Sequence, residues 1–98
     1  MTINKTMDGE QLTITLEGRL DTTTAPRLDK EVKQSIKGIR ELIFDFEKLD
    51  YVSSAGLRIL LSAQKVMNKQ GDMIIRHVND TIMEVFEITG FADILTIE

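Results

Sequence analysis

The residues with the clearest chemical potential lie in "YVSSAGLRILL", Tyr51 to Leu61. An apolar pair runs into two hydroxyls, Ser53 and Ser54, and then into Ala55, Gly56 and an amphipathic run. A serine at the mouth of a helix can do one of two things. Its oxygen can cap the free amides of the first turn. Alternatively, its hydroxyl can accept a transferred group, because those amides point outward and the helix start favours an anion. A second polar segment, Asp21 to Ala25 in "RLDTTTAP", has the same setting after an earlier strand. Ser, Thr and Asp are ordinary caps, so on pattern alone capping is the stronger reading of both segments.

Other chemistries find less support. The chain has no cysteine, which excludes disulfides, thiol catalysis and thiolate metal sites. His77 is the only histidine, on a predicted strand beside Arg76, and reads as a surface or packing residue. Without a second histidine at ligand spacing, no metal centre is expected. Asp29, Glu31, Glu84 and Glu87 look like solvated helix faces, and Met67, Met73 and Met83 like core filler. A phosphate-binding loop would need a lysine after its last glycine, but Leu57 follows Gly56. No cofactor is implied. A hydrolase built on Ser54 would need His77 as its base, and nothing in the sequence brings the two together.

The elements that must position these hydroxyls follow from periodicity. Leu12, Ile14 and Leu16 alternate with Thr13, Thr15 and Glu17, the pattern of a strand covered on one face. Thr2 to Met7 pairs with it through the Asp8-Gly9 turn. Pro26 and the threonines open a helix carrying Leu28, Val32 and Ile36, stopped by Gly38. Leu42 to Phe46 is the next strand. The helix from Ala55 to Gly71 buries Leu57, Leu60, Leu61 and Met67, with Ile59, Ala63 and Val66 at the sides. Met73 to Val78 is a short strand, Asn79 to Thr89 a third helix, and Ile94 to Leu95 a last extended piece. The order β-β-α-β-α-β-α-β implies right-handed parallel crossovers after a leading hairpin. The fold class is therefore α/β, with a mixed, mostly parallel sheet of four to five strands and helices mainly on one face. Both polar segments then lie together at the carboxyl ends of neighbouring strands.

Composition narrows the function. The 98 residues suit one domain, and at 42 % hydrophobic they can build a core. A net charge of −4, with no basic cluster, argues against nucleic acid and anionic membranes as partners. No apolar run approaches the roughly 18 residues of a membrane helix, so no membrane insertion is expected. The amino terminus has no signal-peptide core, and a cytoplasmic location is the expectation.

The run Ile43 to Leu61, "IFDFEKLDYVSSAGLRILL", resembles the signature of STAS domains and, among them, of bacterial anti-sigma factor antagonists. An aliphatic strand ends in Asp45-Phe46, a polar turn follows, and Gly56-Leu57 opens a helix. "EGRLDTTTAPRL", Glu17 to Leu28, is similar to the segment these domains carry before their first helix. The resemblance implies a single STAS domain over residues 1–98, acting as a regulatory binding protein and not as an enzyme. It implies that the unphosphorylated antagonist binds an anti-sigma factor with serine kinase activity, that phosphorylation breaks this contact, and that a serine phosphatase reverses it. The family's phosphoserine lies two residues before the Gly of Gly-Leu, which places it on Ser54. Many antagonists carry an aspartate just before that serine; here Ser53 stands there, as the runner-up acceptor. The implied partner surface comprises Asp21, Thr23, Ser53, Ser54, Ala55, Gly56 and Arg58, on a protein that is monomeric when free. Ala55 and Gly56 would leave room for a partner's backbone. Arg58, one turn after Ser54, would help neutralise its phosphate. The rival implication is a STAS-like subunit of a membrane transport complex, never phosphorylated.

Overall fold

The computed structural model describes residues 1–98. Strand β1 (Thr2–Asp8) turns back into β2 (Gln11–Leu20) as an antiparallel hairpin. Helix α1 (Ala25–Ser35), strand β3 (Glu41–Val52), helix α2 (Ser54–Met67), strand β4 (Asp72–Arg76) and helix α3 (Asp80–Thr89) follow. A 3-10 turn at Phe91–Asp93 leads into β5 (Thr96–Ile97). The sheet order is β1-β2-β3-β4-β5, and every pairing after the first is parallel. Each crossover steps the same way, so a constant right hand puts the helices on one face of the sheet, as expected.

That face holds the core. Leu12, Ile14 and Leu16 from β2 pack with Leu42, Phe44 and Phe46 from β3 and with Ile75 from β4. The helices close it with Leu28, Val32, Leu57, Leu60, Met67, Ile82 and Phe86. Burying one such side chain stabilises by roughly 1.5–3 kcal/mol. A one-residue slip of β2 would expose its three together, which fixes the register that sets the two polar turns side by side. The other face is mostly polar, with Thr13, Thr15 and Asp45 in neighbouring positions around a buried Ile43.

Three predicted boundaries are corrected. β3 does not stop at Phe46 but runs to Val52. Against β2 it carries extra residues between Asp45 and Lys48 and between Leu49 and Tyr51. Each such bulge shifts the alternation by one, so the buried positions run Leu42, Phe44, Phe46, then Leu49 and Val52. The last strand is Thr96–Ile97, not Ile94–Leu95. Leu95 is buried, while Ile94 ends the 3-10 turn 49 % exposed. β4 ends at Arg76, leaving His77 outside it with φ 59°, the one non-glycine residue at positive φ.

Candidate functional site

The two polar turns meet as the sequence implies. Leu20 pairs with Val52 at the ends of β2 and β3, and the Ser53 amide donates to the Leu20 carbonyl at 2.8 Å. The turn after β3 therefore hangs on the strand that feeds the turn after β2. A residue the sequence reading passed over adds a second tie. Arg19 lies 4.6 Å over the Tyr51 ring, and its Nε is 3.8 Å from Asp21 Oδ2. Arg19 and Tyr51 are register partners, but only after the second bulge of β3. No periodicity in the sequence announces that pairing.

The two serines have different jobs. Ser53 is the N-cap of α2, in extended conformation, and its Oγ accepts from the Gly56 amide at 3.5 Å. Its carbonyl accepts from the Leu57 amide at 3.0 Å, starting the helical ladder. Ser54 is the first helical residue and is exposed. No hydrogen bond within the chain engages its Oγ. The hydroxyl stands beside the free amides of the first turn, where a helix favours negative charge. Arg58, exposed one turn later, stands on the same side of α2.

The role expected of Gly56 is corrected. It is buried, and a Cβ there would lie 2.6 Å from Leu20 Cγ and 3.1 Å from Val52 Cγ1. Its missing side chain lets α2 settle onto the ends of β2 and β3; it does not open space for a partner. Ala55 is half-buried and lines a shallow groove of about 350 Å³ between α1 and α2, with Thr22, Pro26, Arg58 and Ile59. The groove continues along the helix pair past Ile59 to Val66, which is 40 % exposed.

Asp21 and Thr23 are drawn into their own turn. Asp21 Oδ1 accepts from the Thr23 hydroxyl at 2.7 Å, the Thr23 amide at 3.0 Å and the Thr24 amide at 3.2 Å. The Thr23 hydroxyl, with the two amides, holds the Asp21 carboxyl below its ordinary pKa against the opposing effect of burial. Thr24 is the N-cap residue of α1, yet its side chain caps no amide of the helix. It donates to the Arg19 carbonyl at 2.8 Å and accepts from the Asp21 amide at 2.8 Å. The expected threonine cap is thus a loop lock instead, because Thr24 sits in helical backbone conformation, φ −99° and ψ −23°.

His77 is engaged elsewhere. Its Nδ1 lies 2.9 Å from Asp45 Oδ1, and the Glu47 amide donates to that same oxygen at 3.0 Å. Burial pushes the Asp45 carboxyl up, but the His77 hydrogen bond, the Glu47 amide and nearby positive charge outweigh it and hold it low. The Asp45 hydrogen bond and charge raise His77 above its ordinary range. Sequence reading missed this cluster because its members come from β3 and from the link after β4.

No helix is long and apolar enough to cross a membrane. The STAS domain model matches residues 2–98. A candidate anti-sigma factor antagonist, BtrV of Bordetella bronchiseptica, is 36 % identical over 99 % of this chain and 84 % of its own length. The anti-sigma-B factor antagonist of Listeria monocytogenes is 32 % identical over 96 % of this chain and 84 % of its own. Among solved structures, the anti-sigma factor antagonist SpoIIAA superposes with a TM-score of 0.85 in its unphosphorylated form, over 99 % of this chain and 88 % of that one. Its phosphorylated form gives 0.78 over 99 % and 91 %; at 21 % identity both speak to the fold alone. With the family model spanning residues 2–98 and a 36 % identical relative aligned over 99 % of this chain, the chain belongs to the STAS domain family.

Proposed function

We propose that this protein is an anti-sigma factor antagonist, a binding protein switched by phosphorylation of Ser54. The observation that carries the reading is the free, exposed Ser54 hydroxyl at the start of α2, beside a Ser53 already used as the cap. The names of the relatives above support an anti-sigma factor as the partner; in this reading that partner also acts as the serine kinase. A serine phosphatase restores the binding form. The contact surface is the first turn of α2, the Asp21–Thr24 turn beside it and the groove between α1 and α2.

The switch needs no unfolding. Phosphoserine carries about −1.5 to −2 charges at neutral pH. At the start of α2 those charges meet the positive end of the helix, a stabilisation of roughly 0.3–1 kcal/mol, with Arg58 one turn away. Against a partner surface shaped for a neutral hydroxyl the same charges must lose water. An unmatched buried charge costs roughly 2–5 kcal/mol, and each 1.4 kcal/mol is about tenfold in affinity. Binding should fall by roughly 30-fold to several thousand-fold, while the fold is unchanged or slightly firmer.

The test pairs calorimetric titration of the kinase-type partner with thermal melts, on phosphorylated and unphosphorylated protein. Equal affinities would refute the switch. A large drop in melting temperature on phosphorylation would replace surface exclusion with unfolding as its mechanism.

A further inference from the structure

We infer that Asp45, Glu47 and His77 form a binding site for a divalent cation of the zinc class. Asp45 and Glu47 come from the stretch of β3 where the first bulge lies, and His77 from the first residue after β4. Asp45 is the register partner of Arg76, so the chain brings His77 level with the bulge. One donor atom from each of the three lies within 4.8 Å of the others. Zinc bonds of about 2.0–2.2 Å to nitrogen and oxygen set ligand atoms roughly 3–4.4 Å apart. Glu47 and His77 are exposed, so closing the remaining few tenths of an ångström moves side chains at the surface, with the ion replacing the direct His77–Asp45 hydrogen bond.

The donor set also chooses the ion. Two carboxylates and a neutral imidazole supply two negative charges against a dication. An imidazole suits zinc and its transition-metal neighbours, whereas calcium and magnesium prefer oxygen alone. The adjacent Arg76 offsets part of this charge, but its guanidinium is turned to Glu98, 3.0 Å away, and is not one of the three donors. Water completes the coordination on the open side. Any imidazolium proton passes to the buffer as the metal takes its place. The bound ion would staple the β4–α3 link to β3. That link leads into Asn79, which caps α3 and bonds the Leu49 carbonyl at 3.0 Å.

The composition makes the test clean. With one histidine and no cysteine, an imidazole ligand can only be His77. Zinc chloride is titrated into the full chain in a chelator-free buffer, followed by the His77 ring resonances and by calorimetry. Expected are saturable binding of one ion per chain, movement or broadening of the His77 ring signals, and a melting temperature that rises with zinc. Losing a group that merely orients a ligand costs about 10–100-fold in affinity, so Glu47→Gln and Asp45→Asn should each weaken binding at least tenfold. His77→Asn, which tolerates the left-handed backbone, should abolish it. An unperturbed His77 ring at zinc excess, or full-strength binding by His77→Asn, would overturn the proposal. Exposed Glu47→Gln tests it independently should either other variant fail to fold.

Discussion

In the turn after β2, four hydrogen bonds converge on Asp21 Oδ1, from the amides and hydroxyls of Thr23 and Thr24, and Thr24 Oγ1 also donates to the Arg19 carbonyl and accepts from the Asp21 amide. In the turn after β3, a single bond of 3.5 Å joins Gly56 N to Ser53 Oγ, and Ser54 Oγ has no partner in the chain. The first turn is held by its own polar groups. The second is held from beneath, by Gly56 seated against Leu20 and Val52 and by the Ser53 amide on Leu20. One device spends its hydroxyls on structure; the other keeps a hydroxyl free by letting packing fix the backbone. Two similar strings of Ser, Thr and Asp thus serve as a self-locked frame and as a support for a free hydroxyl.

The comparison breaks most visibly at Gly56. Gly56→Ala puts a methyl into Leu20, and overpacking of this kind costs roughly 1–3 kcal/mol. Chemical denaturation should report that loss. A silent Gly56→Ala would mean that packing does not hold the second turn.

A smaller effect separates the serines. Removing a cap costs about 0.5–2 kcal/mol, and the long Ser53 bond puts Ser53→Ala at the low end. Ser54→Ala should stay within about 0.5 kcal/mol of wild type, as an exposed position with no contact to lose. Equal losses in matched urea titrations would erase the distinction between cap and free hydroxyl.

The smallest effect lies in acid. The Asp21 carboxyl sits below its ordinary pKa in the folded chain, chiefly through the Thr23 hydroxyl. Its contribution is therefore complete above the unfolded value of about 4 and is lost as pH falls through the folded one. Asp21→Asn should melt lower than wild type near neutrality, and the gap should narrow in that acidic window. A gap independent of pH would show that the carboxylate charge does not hold the first turn.

How far the sequence could be read depended on the range of each interaction. Leu12, Ile14 and Leu16 reported their strand because alternation is local, and the crossover rule then ordered the sheet. Periodicity alone ends strand β3 at Phe46, because its two bulges turn the apolar spacing from two to three, at Leu49 and Val52. The serine turn was legible as a helix start, but the division between Ser53 and Ser54 needed the actual cap geometry. Gly56 reads locally as open space, because its neighbour Leu20 is distant in the chain. Nothing local could join Asp45 to His77, which meet only once β3 and β4 are side by side.

The free hydroxyl of Ser54 is the centre of the account, and site mapping tests it most directly. The unmodified chain would be used to capture its kinase-type partner, incubated with that partner and ATP, and sequenced by peptide fragmentation. Phosphate is expected on Ser54, with Ser54→Ala left unmodified and Ser53→Ala still a substrate. Phosphate carried mainly by Ser53, or undiminished modification of Ser54→Ala, would contradict it.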